Sequence, residues 1–161
     1  MRSAALILTF GTCAVALQGS LLRYAALGSA VPDLVLALTL YLGLHYQRVG
    51  GVVGAFLLGY LLDAFSGAPL GENAFAMTVV FLFAYLLSRR VWIEGSVPIV
   101  LLVLAAAVLK TVVVTLLAAS FAAGLPARSI RADLLGGALA AILSPPLFGA
   151  LGRGRRWLGV Y

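Results

Sequence analysis

The chain has 161 residues, 63% of them apolar, and a mean hydropathy of +1.13, which excludes a soluble globule built around one core and points to an integral membrane protein. Eleven Lys and Arg against five Asp and Glu give a formal charge of +6. In a soluble domain that balance would suggest nucleic acid, but ten of the eleven bases fall at the ends of apolar segments, where topology and anionic lipid account for them, and no nucleic-acid partner is expected.

Charged and Pro/Gly-rich breaks divide the chain into six apolar segments, over residues 4–22, 32–44, 49–65, 74–87, 97–123 and 134–151. They predict an all-α polytopic bundle of about six transmembrane helices, forming a single membrane domain over residues 1–161. The first segment follows Arg2 and contains Ala14-Val15-Ala16, which has the small-x-small form of a signal-peptide cleavage site. Its apolar run continues to Leu22, however, and favours a retained span. Cys13, the only cysteine, lies within it, so no internal disulfide or thiolate metal site is expected. Gln18 lies near its far end.

The second segment is short, opens on Pro32-Asp33 and ends at His45, the only histidine, beside Tyr46 and Arg48. With no second histidine to work with, His45 reads as an interfacial residue rather than a metal ligand or a general base. The third segment carries Gly50, Gly51, Gly54 and Gly59, with small-xxx-small pairs at Gly50/Gly54 and Ala55/Gly59. Such a stripe lets backbones touch, so the Gly50, Gly54 and Gly59 face is expected against another helix rather than lipid. That segment ends near Asp63, and residues 65–75 could be partly re-entrant where protein covers the backbone.

The fourth segment is also short and closes on Arg89-Arg90, with Trp92 beyond. The fifth places Lys110 in the middle of a long apolar run. An ammonium there costs about 2.5 to 3.5 kcal/mol on insertion scales, so it is expected to be paired and to face protein or water. The sixth has a small face at Gly136, Gly137, Ala140 and Ala141, and Ser144 is followed by Pro145-Pro146, read as turn-forming.

With a cytoplasmic N-terminus, the inner segments carry Arg2, Arg48, Arg89, Arg90, Arg153, Arg155 and Arg156, against Arg23, Arg128 and Arg131 outside, seven against three. The positive-inside rule then gives a multi-pass protein of the cytoplasmic membrane with both termini inside, and Trp92 and Trp157 at the inner interface. Counted from the inner surface at 1.5 Å per residue, Asp63 and Lys110 both stand roughly 20 Å deep. Gln18 reaches a similar level. An Asp63–Lys110 ion pair is therefore expected, with Gln18 or Asn73 meeting the spare hydrogen-bonding capacity. Such a pair reads as an assembly lock rather than an ion or proton pathway, since a pathway needs a chain of titratable groups.

Catalytic motifs are missing: there is no HExxH, GxSxG, Walker loop or carboxylate pair at helical spacing within one span. Ser66 and Ser144 are the obvious serines to consider as nucleophiles, yet neither has a histidine at a plausible depth. No enzyme, cofactor or metal is expected.

The string Gly59-Tyr60-Leu61-Leu62-Asp63-Ala64-Phe65-Ser66-Gly67-Ala68-Pro69-Leu70-Gly71 is the most distinctive in the chain. It resembles the signature of the rod-shape-determining membrane protein MreD family, in which a glycine-rich third span ends in an aspartate followed by a Ser-Gly-x-Pro-Leu-Gly turn. Pro32-Asp33, the Gly50/Gly51/Gly54 run, Arg89-Arg90 and the length also fit. The resemblance implies a non-enzymatic scaffold of the bacterial cell-elongation machinery that associates with the bitopic protein MreC. With MreC it would link MreB filaments to peptidoglycan synthesis, the RodA-type glycosyltransferase and its penicillin-binding transpeptidase being reached indirectly. It also implies a fold similar to the six-helix substrate-binding subunits of energy-coupling-factor vitamin transporters. That likeness supplies the alternative, a small-molecule-binding transporter subunit with a pocket drawn from Gln18, Asp33, Asp63, Glu72, Asn73 and Lys110. A lipid or ion channel lacks a repeated ring of polar positions. Lys110 has no counterpart in the signature, so its role rests on depth alone.

Overall fold

The structure, a computed structural model, describes residues 31–46, 49–66, 69–90, 95–120 and 130–157. They form five helices: α1 (Leu34–His45), α2 (Val49–Ser66), α3 (Glu72–Ser88), α4 (Ser96–Ser120) and α5 (Ile130–Trp157). These coincide with the second to sixth predicted segments. The first segment, with Cys13 and Gln18, lies outside the described residues, so the helix count described is five rather than six. Three helices are long and apolar enough to cross a bilayer, α2, α4 and residues 130–153 of α5.

Helix α1 has 12 residues and α3 has 17, as the short second and fourth segments imply. At 1.5 Å per residue α1 is roughly 18 Å long, well short of a hydrocarbon core of about 30 Å. It survives because it is the centre of the bundle: every residue from Val35 to Gly43 is buried, so most of its length meets protein rather than lipid. Side-chain neighbours give the helix directions. Thr39 meets Met77, and Tyr41 meets Phe148, so α1, α3 and α5 run the same way. Gly59 abuts Ala74 and Gly51 abuts Phe81, so α2 runs against α3. Lys110 reaches Asp33, so α4 likewise runs against α1. One end of the bundle therefore holds Asp33, Asp63 and Asn73, and the other holds His45, Arg89, Arg90 and Arg153.

The small stripe of α2 falls one position away from the expected face. Gly51, Ala55 and Gly59 are buried, whereas Gly50 is exposed and Gly54 half-buried. A Cβ on Gly59 would stand 2.6 Å from the Ala74 Cα, and one on Gly51 would strike the Tyr46 carbonyl, while one on Gly50 would meet nothing within 4 Å. Gly59 belongs to the contact face as expected; Gly50 does not. The spacing of four from Ala55 to Gly59 continues back to Gly51 and sets the stripe that faces α3.

The Pro145-Pro146 turn expected in the last segment is replaced by continuous helix. Proline at 145 removes the N–H that would bond the Ala141 carbonyl, and the Ser144 hydroxyl supplies that bond instead, donating to Ala141 O at 2.7 Å. A neighbouring hydroxyl that re-satisfies a freed carbonyl is how membrane helices tolerate proline. Earlier in α5, Gly137 admits Ala107 of α4 against its backbone and Gly136 admits the Val31 carbonyl, so the sixth segment's small face is used for packing as read.

Candidate functional site

Two polar centres are buried near one end of the bundle, and each joins separate helices. Helix α1 begins within the depth of the bundle, where its first N–H groups have no water to bond. Asp33 meets that need: its Oδ1 accepts from the Leu36 N–H at 3.0 Å and its carbonyl accepts from Ala37 N–H at 3.3 Å. Its own N–H donates to the Gly136 carbonyl of α5 at 3.1 Å, which requires the close approach that Gly136 allows. The remaining carboxylate oxygen, Oδ2, forms an ion pair and hydrogen bond with Lys110 Nζ from α4. One aspartate thus ties α1, α4 and α5 together, with both charged side chains nearly out of solvent.

The Asp63–Lys110 pair expected from depth is therefore not formed. Lys110 is buried and paired, as its position demands, but its partner is Asp33. The depth count assumed that every helix starts at the membrane surface, whereas α1 starts alongside Lys110. The shortness of the second segment was the available signal: a helix too short to cross must end inside, and Asp33 stands at that end.

Asp63 has a different task. It lies three residues before Ser66, the end of α2, and its carboxylate receives the start of α3. Oδ2 accepts from Gly71 N–H at 2.9 Å and Ala74 N–H at 3.2 Å, and Oδ1 accepts from Asn73 N–H at 3.1 Å and Asn73 Nδ2 at 2.8 Å. Asn73 thus satisfies the aspartate, as one branch of the sequence reading had it, though without a lysine. An anion at a helix start meets both unpaired N–H groups and the positive end of the macrodipole. Sharp reversal between α2 and α3 brings those donors within reach. Gly71 adopts a φ of 101°, open to glycine but strained for other residues, and the Pro69 carbonyl accepts from Glu72 N–H at 3.3 Å. Ser66 Oγ donates to the Asp63 carbonyl at 3.4 Å. Among the described residues, 69–71 turn into the start of α3, which Asp63 caps, and the rest of the stretch expected to be partly re-entrant includes residues outside the described ones. Gly67 of the motif and Gln18 lie outside the described residues.

Asp33 and Asp63 each spend both carboxylate oxygens on partners within the chain, and the hydroxyls of Ser66 and Ser144 are turned onto backbone carbonyls. Among the described residues no group of three or more His, Cys, Asp or Glu is placed to hold a metal. His45 sits at the opposite end, its Nδ1–H donating to the Tyr41 carbonyl at 3.1 Å and its ring stacked on Tyr41 at 4.3 Å.

A family model described as rod shape-determining protein MreD matches residues 4–152. No curated protein and no solved structure matches. A match over nearly the whole chain, with Asp63 and its turn inside it, establishes the identity of the fold's owner: the chain belongs to the MreD family, membrane proteins that determine rod shape.

Proposed function

We propose that this protein is a non-enzymatic scaffold of the cell-elongation machinery, joining an MreC-like bitopic protein and the MreB cytoskeleton to peptidoglycan synthesis. The observation that carries the reading is the use made of its polar groups. Lys110, Asp33 and Asp63 are spent on holding helices in register, so the chain invests its membrane-buried charge in a shape rather than in a reaction centre. A protein whose product is a fixed surface fits a scaffold. Helix faces such as Val53, Phe56, Leu57 and Tyr60 of α2 are exposed and apolar, suited to lipid or to a partner's single helix.

In this reading the chain crosses the cytoplasmic membrane six times, with the first segment completing the five described helices and both termini in the cytoplasm. Arg89, Arg90 and Arg153 then lie at the inner end and Arg131 at the outer one, in keeping with the positive-inside rule. The RodA-type glycosyltransferase and its transpeptidase are reached through the bitopic partner.

Affinity purification from mild detergent tests this directly. The scaffold reading expects a bitopic membrane protein to co-elute stoichiometrically. Recovery of the chain with a bound vitamin-like small molecule and no such partner would favour a transporter subunit and overturn it.

A further inference from the structure

Away from the two polar centres, at the His45 end, α1, α4 and α5 diverge around a cavity of about 390 Å³. The buried part of its wall is formed by Tyr41 and Phe148, in edge-to-face contact at 5.3 Å. The rim is exposed and polar, contributed by His45 and Ser96. Gly149 and Gly152 of α5 leave the remaining side open: a Cβ on Gly152 would meet nothing within 4 Å, and one on Gly149 only the Arg153 Nη2 at 3.8 Å. The Arg153 guanidinium, one helical turn on from Gly149, therefore lies beside the glycine edge of the cavity. A recess with two buried rings at its back, a polar rim and a guanidinium alongside matches an amphiphile with a negative head.

We propose that this recess binds the headgroup of an anionic phospholipid, the phosphate meeting Arg153 and the rim while the glycerol and first acyl carbons lie toward Phe148. Basic pockets between transmembrane helices recognise such headgroups because the guanidinium supplies charge and a fork of donors, while apolar walls exclude water. A zwitterionic lipid brings its own cation to Arg153 and gains less. The site shares no residue with the Asp33, Lys110 and Asp63 centres.

Native mass spectrometry of the full-length protein, in neutral detergent supplemented with equal phosphatidylglycerol or phosphatidylcholine, tests the assignment. The wild type is expected to retain phosphatidylglycerol in preference. Arg153→Gln should weaken that binding roughly five-fold, the loss of one arginine's attraction near a headgroup. Gly149→Leu, which fills the recess, should weaken it at least as much, with its unfolding temperature measured alongside; should that temperature fall, Arg153→Gln alone decides. Arg90→Gln removes the same charge from the turn after α3, which contributes nothing to the cavity wall, and should leave binding within about two-fold. Equal retention of both lipids, wild-type binding by Arg153→Gln, or an equal loss with Arg90→Gln would each overturn the proposal. So would thermal stabilisation by inorganic phosphate equal to that by phosphatidylglycerol, since the recess would then be a phosphate site without a lipid.

Discussion

Burying an ammonium and a carboxylate together removes both from water, and their attraction offsets that cost only while both are present. Lys110→Met should therefore strand Asp33 and destabilise the bundle by about 3 to 5 kcal/mol. Asp33→Asn, which keeps an oxygen for the Leu36 N–H, strands the lysine instead. The double variant should recover most of the loss, because an apolar side chain beside a neutral cap leaves no uncompensated charge. Unfolding temperatures of the four proteins in detergent check this cycle, and additive losses would contradict it. Pairing Asp63→Ala with Lys110→Met should, by contrast, give near-additive losses, since no bond joins the two side chains. Asp63→Ala alone removes an acceptor of four hydrogen bonds at the start of α3 and should cost about 3 kcal/mol or more, with Asp63→Asn intermediate. At this scale the residue types were legible and the partners only in part. A lysine in an apolar run announces that it is paired, but its partner depends on where a neighbouring helix begins. That start was hidden from a count that placed every helix end at the membrane surface.

Helices of this bundle are apolar on nearly every side, so the outward faces carry little sequence signal and the inner ones are marked by small residues. That is why four segments were legible to within 3 residues and the last only to within 6, while the exact face of α2 was not. Glycine at 50, 51, 54 and 59 offers two overlapping stripes, and only the neighbour decides which is used. Gly59→Ala should lower the unfolding temperature clearly, because its Cβ would stand 2.5 Å from the Asn73 carbonyl oxygen in the backbone that Asp63 holds. Gly50→Ala should leave the temperature unchanged or raise it slightly, since nothing is near and alanine favours helix by up to about 1 kcal/mol. Equal effects at the two positions would contradict the assigned face. The continuity of α5 through Pro145 and Pro146 was illegible for a related reason. Proline is read from its missing N–H, and the Ser144 hydroxyl that compensates for it looks, in sequence, like an ordinary serine. Ser144→Ala should accordingly destabilise α5 by about 1 kcal/mol, with Ser144→Thr milder, as measured by unfolding temperature.

At the scale of the whole molecule, the other four described helices pack around α1, with Asp33, Lys110 and Asp63 spent on internal ties and Arg89, Arg90 and Arg153 gathered at one end. The MreD family model matches residues 4–152, and Asp63, inside that range, holds the start of α3 against α2. A periplasm-dependent reporter fused to the C-terminus should stay silent, with a strong signal there contradicting the cytoplasmic assignment. The central claim, that the protein serves cell shape as a scaffold, is tested most directly by depleting it in a rod-shaped host and measuring cell width and length over successive generations. Progressive rounding, with membrane insertion of other proteins continuing, is the result the account predicts. Cells that keep their rod shape, with a growth defect cured by a vitamin supplement, would contradict it.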